Sequence, residues 1–313
     1  MNIVFAEPIG LTSFQKENFI QEMKGLGHTT HFYENQPTDQ VDLLSRTIKA
    51  DILVISNYKV STEVVTKSKN LKLIAVAFTG VDHIPVELCK SRGIVVCNAA
   101  GYSTQAVAEL TIALAIDLYR KILLFDGITR QSGTRNGFLG NELNGKTFGI
   151  IGFGAIGEKV SKLAQAFGCK VIVWSRTVKQ VNGISFVALD QLLKDADIVS
   201  LHIPLSDQTR GLINDINLRL MKSTALLINT ARGPIVDYSA LSLALKNRII
   251  AGAAVDVYEH EPPIEKSHPL FDAPNTILIP HIGFATAEAI FNRSGIVTNN
   301  IKSWLEGKFE NQV

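Results

Sequence analysis

Cysteine is scarce and poorly placed for covalent or metal bracing. Cys89, Cys97 and Cys169 are the only three in 313 residues. An odd number with no Cys-x-x-Cys spacing reads as buried, reduced thiols and argues against a disulfide framework or a zinc site, so no metal is expected. A surplus of one charge is missing too. Lys and Arg total 31 against 29 Asp and Glu, a net charge of +2, without the concentrated basic face that an extended nucleic-acid or membrane footprint requires. No apolar run reaches membrane-spanning length. The start, Met1 to Ala6, reads as a buried strand, lacking the basic lead and small-residue cleavage site of a signal peptide. These absences point to a cytosolic protein whose partner is a small molecule rather than nucleic acid or membrane.

The chain does have length and pattern. It is long enough for two domains with separate cores, and its 46% hydrophobic and 19% charged residues are those of an ordinary globular protein. Short apolar runs near 2–6, 29–33, 51–56, 71–78 and 94–98 alternate with helical patterns, and a second strand-helix series has strands near 147–152, 170–174, 197–203, 225–229, 250–257 and 276–280. Right-handed crossovers build such series into parallel sheets covered by helices on both faces. Between the series lie one long helix, about 103–119, and a Gly- and polar-rich loop from Thr129 to Gly145. The last helix, 286–305, is expected to return to the first domain. The predicted division is therefore 1–98 plus 286–313 as one domain and 99–285 as the other, with crossings near 98–101 and 283–286 forming a hinge beneath an interdomain cleft.

Gly152-Phe-Gly-Ala-Ile-Gly157 fits the dinucleotide fingerprint, with Gly152, Gly154 and Gly157 at its three glycine positions. Phe148 to Ile151 form the preceding strand. Val160, Leu163, Ala164 and Phe167 give the next helix one apolar stripe, which Gly168 can end. Such a turn lets a pyrophosphate meet free N–H groups and a favourable dipole at the helix start. At the end of the next strand, where an NAD enzyme places an acid for the ribose 2′-hydroxyl, this chain has Trp174-Ser175-Arg176-Thr177. A hydroxyl-arginine-hydroxyl cluster can donate to a 2′-phosphate, which favours NADP(H). The alternative is that Arg176 is a solvated loop charge and NAD(H) is accepted without the acidic contact.

Downstream, three polar residues sit at or just beyond strand ends, the edge where open α/β sheets place ligands. Arg232 lies in Asn229-Thr-Ala-Arg-Gly-Pro, Glu261 in Asp256-Val-Tyr-Glu-His-Glu-Pro, and His281 in Pro280-His-Ile-Gly. Arg232 has the planar fork that suits a carboxylate. A carboxylate bonded to an imidazole fixes its tautomer and favours its charged form, making a general acid with an orienting partner. Singly, a loop-end arginine, a glutamate beside proline and a histidine capping a strand each have an ordinary structural explanation. Their order after the glycine loop is what gives them weight together.

With Ala77-Phe-Thr-Gly-Val-Asp-His-Ile84, Asn98-Ala-Ala-Gly-Tyr-Ser-Thr-Gln-Ala-Val-Ala-Glu109 and His202-Ile-Pro-Leu added to these motifs, the chain resembles the D-isomer-specific 2-hydroxyacid dehydrogenase family over nearly its full length. The resemblance implies an α/β fold of two doubly wound parallel-sheet domains, a flavodoxin-like substrate domain and a Rossmann cofactor domain. It implies Arg232 for the substrate carboxylate and keto oxygen, Glu261 as orienter and His281 as proton donor or acceptor. Backbone N–H groups of Thr79 and Gly80 would receive the carboxylate. Ala155, Ile156, Ser175, Arg176, Pro204, Thr209, Thr230, Ala231, Asp256 and Gly283 match cofactor-lining positions, with Thr104 near the nicotinamide. Asp256 would lie near the carboxamide and tune the pH profile. The implied activity is hydride transfer between NADP(H), or NAD(H), and a small 2-keto or D-2-hydroxy acid such as glyoxylate, hydroxypyruvate or pyruvate, by a homodimer joined through the 103–119 helix. Phe78, Tyr102, Phe284 and the 286–296 segment are candidates for shaping the side-chain pocket.

Departures narrow the branch. Glu261 stands where formate dehydrogenases carry an amide, and the length leaves no room for the regulatory domain of many phosphoglycerate dehydrogenases. Ser175 and Arg176 replace the more usual aspartate and resemble the glyoxylate/hydroxypyruvate reductases. Pro234 replaces the more usual second glycine after Arg232. The competing function on this fold is a cofactor-sensing, corepressor-like binding protein, since fold does not fix function. Such proteins usually carry extra tails or docking segments, of which this sequence has no sign.

Overall fold

The structure, a computed structural model, describes residues 1–261 and 263–313, so Pro262 of the Asp256 to Pro262 motif lies outside the described residues. The chain forms two compact units, Met1–Ser103 with Ala285–Val313, and Thr104–Phe284.

In the first unit the strands are β1 (Asn2–Phe5), β2 (Thr29–Phe32), β3 (Ile52–Ile55), β4 (Leu73–Val76) and β5 (Val95–Cys97), alternating with α1 (Ser13–Gly25), α2 (Gln40–Thr47), α3 (Thr62–Lys67) and α4 (Val86–Ser91). Every residue of β3 and β4 is buried, as expected for strands covered on both faces, whereas the outer strand β2 alternates between exposed and half-buried residues. All pairings are parallel, in the order β2-β1-β3-β4-β5, the flavodoxin-like doubly wound arrangement. Side-chain caps start the helices: Thr12 forms a capping box on α1, and Asp39 and Ser61 accept from the first turns of α2 and α3. The last helix, α11 (Ala287–Leu305), belongs to this unit. Its Arg293 and Ser294 side chains donate to Ile9 O at 3.0 and 3.1 Å, and Asn300 Nδ2 donates to Asn98 O at 2.8 Å.

The second unit opens with α5 (Thr104–Arg120) and α6 (Ile122–Arg130), followed by β6 (Thr147–Ile151), α7 (Ala155–Ala166), β7 (Lys170–Trp174), β8 (Ile184–Phe186), α8 (Leu189–Asp195), β9 (Ile198–Leu201), α9 (Asp215–Leu220), β10 (Leu226–Asn229), α10 (Tyr238–Lys246), β11 (Gly252–Val255) and β12 (Thr276–Leu278). Its parallel sheet runs β12-β11-β10-β9-β6-β7-β8. The first six strands have the Rossmann order and β12 extends it, with the order reversing between β6 and β9. The period-2 alternation of strand side chains divides the interior into two cores. Leu226 and Ile228 of β10 join Ala108, Ile112 and Ala115 of α5 and Val160 and Ala164 of α7 on one face. Leu227 between them joins Leu192, Leu193, Leu241 and Leu245 of α8 and α10 on the other.

Two elements exceed the sequence expectation. One is α6, which has no buried residue and so no core stripe to announce it. The other is β8, three outer-strand residues of which none is fully buried. The apolar stripe of α7 holds at Val160 and Ala164, but Phe167 is 47% exposed.

Candidate active site

At the carboxyl edge of the second unit's sheet, each glycine of the fingerprint meets a different constraint. Gly152 has φ 101°, and a Cβ there would sit 2.4 Å from His202 O; one on Gly157 would sit 2.0 Å from Gly152 O. Both positions therefore exclude side chains, the first for the turn and the third so that α7 can start against it. Gly154 has open space around it and is the N-cap of α7, with no side-chain cap on the helix. Uncapped amides beside an unobstructed backbone are what a pyrophosphate needs. Ala155 and Ile156 form the first turn of that helix.

Gly152 N donates to Trp174 O at 2.8 Å, which places the end of β7 beside the glycine loop. Ser175, half-buried, and Arg176 and Thr177, both exposed, follow directly. Sequence reasoning missed Lys179, whose Nζ lies 5.5 Å from the centroid of the Phe153 ring inside the fingerprint. Arg176 and Lys179 put two cations on the stretch following β7, with no acid where an NAD-type ribose contact would stand. Pro204 and Thr209 belong to the loop after β9, which Thr209 closes by donating to Pro204 O at 2.8 Å and accepting from Ser206 N at 2.8 Å. Thr230 and Ala231 follow β10, with the Thr230 hydroxyl 3.3 Å from that of Thr111 on α5. Thr104 is the first residue of α5. The group these residues fit is a dinucleotide.

Arg232 leaves β10 in extended backbone (φ −147°) and its Nη1 donates to Ala231 O at 2.7 Å. The following Gly233 is pressed on the next loop, for a Cβ there would sit 2.1 Å from Tyr258 C and 2.6 Å from Glu259 N. Glu261 belongs to that loop. Its Oε1 accepts from Tyr258 N at 2.6 Å, and its Oε2 contacts Nδ1 of His281. The pair is partly shielded, with side-chain exposures of 24% for Glu261 and 27% for His281. His281 stands on a left-handed residue, φ 53°, a conformation that is uncommon outside glycine and enriched in Asn, Asp and His. Phe284 packs edge-on against the imidazole at 5.5 Å.

Asp256, just past β11 and 1% exposed, holds the turn that carries His281. It accepts from Ile282 N at 2.7 Å and Gly283 N at 2.8 Å. Burial raises its pKa above the ordinary carboxylate value, opposed by those two N–H groups and by the charge of His281. A Cβ on Gly283 would come within 2.8 Å of Asp256 Oδ2, so glycine is required for this approach. Thr79 and Gly80 belong to the first unit, just past β4, where Asn98 Nδ2 donates to Thr79 O at 2.7 Å.

The D-isomer specific 2-hydroxyacid dehydrogenase NAD binding domain matches residues 112–283. Glyoxylate reductase of Thermococcus litoralis is 40% identical over 279 residues, covering 85% of this chain and 84% of that protein. Hydroxypyruvate reductase of Thermotoga maritima is 38% identical over 245 residues, covering 77% and 80%. Among solved structures, an acyclic imino acid reductase in complex with NADPH and D-Arg superposes with a TM-score of 0.92 at 33% identity over the whole of both chains. These relatives are reductases and give a corepressor-like reading no support.

Proposed function

The chain belongs to the D-isomer specific 2-hydroxyacid dehydrogenase family and is an NAD(P)-dependent oxidoreductase, and from that premise we propose that it reduces small 2-oxo acids, glyoxylate and hydroxypyruvate foremost, with NADPH. The observation that carries this is the Glu261–His281 pair on the same sheet edge as Arg232 and the uncapped glycine loop.

Gly154, Ala155 and Ile156 would hold the pyrophosphate, with Ser175, Arg176, Thr177 and Lys179 around the ribose phosphate. The chemistry supplied by a bound NADPH is hydride donation to C2 of the oxo acid. The Arg232 guanidinium pairs with the substrate carboxylate and polarises the keto oxygen. Glu261 holds Nδ1 of His281, so the proton that reaches the new hydroxyl leaves from Nε2. Asp256 fixes the His281 turn and so the direction of that transfer. The preference for NADPH is supported by the two cations after β7. A reducing, cytosolic setting is supported by the three buried free thiols.

A homodimer is proposed as well. Most of α5 is buried within its own unit, whereas Ile122, Leu123 and Leu124 at the start of α6 are more than half exposed and Leu139 is 82% exposed. Contiguous apolar exposure of this kind marks a contact surface.

The test is a spectrophotometric screen of glyoxylate, hydroxypyruvate, pyruvate and bulkier 2-oxo acids against NADPH and NADH. Oxidation of NADPH with the small acids is expected. A clear preference for NADH would overturn the cofactor assignment, and no turnover with any acid would overturn the activity. The likeness to an imino acid reductase favours a second substrate class, since Arg232 serves the carboxylate of a 2-imino acid equally well. The same screen with added ammonium or a primary amine reads it out as faster NADPH oxidation.

A further inference from the structure

The reading above needs Arg232 and the Glu261–His281 pair held in register, yet they stand on loops after three different strands. Hydrogen bonds join the loop of Arg232 to the loop that carries Glu261. The joint lies beneath them, at Tyr238.

Tyr238 is the first residue of α10 and is 1% exposed. Its hydroxyl donates to Val257 O at 2.6 Å, and Asn229 Nδ2 donates to that hydroxyl at 2.9 Å. Asn229, at the end of β10 and fully buried, uses its second Nδ2 hydrogen on Arg232 O at 3.0 Å, while its Oδ1 accepts from Ala231 N at 3.1 Å. The donor count is closed. An amide nitrogen has two hydrogens and both are placed, so the phenol must be an acceptor toward Asn229 and must spend its one proton on Val257. That count also fixes which way the amide faces. The Val257 carbonyl begins the loop in which Tyr258 N binds Glu261 Oε1. An unbroken route therefore runs from the Arg232 backbone through Asn229 and Tyr238 to Val257, Tyr258, Glu261 and His281.

The geometry points to Tyr238 as a positioning residue for oxo-acid reduction, its hydroxyl tying the Arg232 loop to the loop that carries Glu261; this rests on the function proposed above. Two further observations suit the role. Burial holds the phenol's pKa well above its ordinary value, so it remains a donor throughout the working range. And Gly233 lets the same two loops touch backbone to backbone, since a Cβ there would sit 2.1 Å from Tyr258 C.

The test compares Tyr238→Phe with Leu241→Ala, a core truncation one turn along α10 at a fully buried residue that has no part in the hydrogen-bond route. In Tyr238→Phe the KM for the 2-oxo acid should rise about tenfold, the loss of one buried hydrogen bond expressed as substrate affinity, with a smaller fall in kcat. The Kd for NADPH should stay within about twofold, because the glycine loop and the end of β7 lie off the route. Leu241→Ala should lose more thermal stability than Tyr238→Phe and keep its KM. Wild-type KM and kcat in Tyr238→Phe, whatever its Tm, would overturn the tie. So would an equal rise of KM in Leu241→Ala, which would mean that general loosening suffices. If Tyr238→Phe fails to fold, Asn229→Ser takes its place: it removes the shared amide, should raise the KM in the same way, and overturns the proposal if it does not. A wild-type chain that turns over no 2-oxo acid would bring down the function and the tie together, whereas an active wild type beside an unaffected variant brings down the tie alone.

Discussion

The His281 backbone imposes a condition on how its chemistry can be tested. A left-handed residue with a side chain stores roughly 1–2 kcal/mol, and here the two Asp256 hydrogen bonds hold the turn that imposes it. Alanine at this position would mix lost chemistry with altered backbone preference, whereas asparagine tolerates φ near 53° and carries no transferable proton. His281→Asn is therefore expected to lower kcat by roughly 10²–10⁴-fold, the range for a general acid, with NADPH binding retained; turnover near wild type would remove His281 from the mechanism. Asp256 makes a prediction about pH. Its folded pKa lies above the ordinary 3.8, so its contribution to stability is present at low pH and lost as pH rises through the folded value. The Tm of wild type measured against Asp256→Asn should accordingly decline from about pH 4 upward. A difference that stays flat across a pH series would show that burial does not govern this carboxylate.

At the level of elements, the segment after β7 sets cofactor choice. Arg176→Ala and Lys179→Ala should each raise the KM for NADPH, Arg176→Ala by roughly tenfold to a hundredfold as a lost charge-assisted contact, and should leave the KM for NADH unchanged; equal effects on both cofactors would place the two cations elsewhere. Of this pair only Arg176 was legible in the sequence, because strand end and residue type together identify it. Lys179 reaches the fingerprint through the path of the loop after β7, which no local pattern encodes. The same division runs through the fold. Strands such as β3 and β4 are continuous buried apolar runs and announce themselves, as does the strand-turn-helix around Gly152. The helix α6 does not: Ile122, Leu123 and Leu124 are exposed and Phe125 and Ile128 only half-buried, and the chain turns into it at Lys121 with φ 57°, a left-handed position marked by neither glycine nor proline. Arg232, Glu261 and His281 could be picked out because charged groups at strand ends are conspicuous. Tyr238 could not, since a tyrosine at a helix start looks like core until its hydroxyl is seen between two loops.

For the whole molecule, the exposed apolar residues of α6 predict an assembly. Replacing Leu123 and Leu124 with glutamate should convert a dimer to monomers in sedimentation, given that both side chains are more than half exposed and contribute nothing to the unit's core. A wild-type chain that is already monomeric would refute the dimer. The chain path has another consequence. The first unit is made of two stretches, 1–103 and 285–313, with the second unit inserted whole between them, and its closing pieces are α11, hydrogen-bonded to Ile9 and Asn98, and Gln312, which bridges to Cys97 at the end of β5. During synthesis at about 5–20 residues per second, the first 103 residues wait on the order of ten seconds or more for the segment that completes them, while the inserted unit emerges contiguous and can fold at once. On the ribosome, then, the dinucleotide half is finished first, and the half at the amino terminus is the one left exposed to chaperones and proteases until the final helix is made.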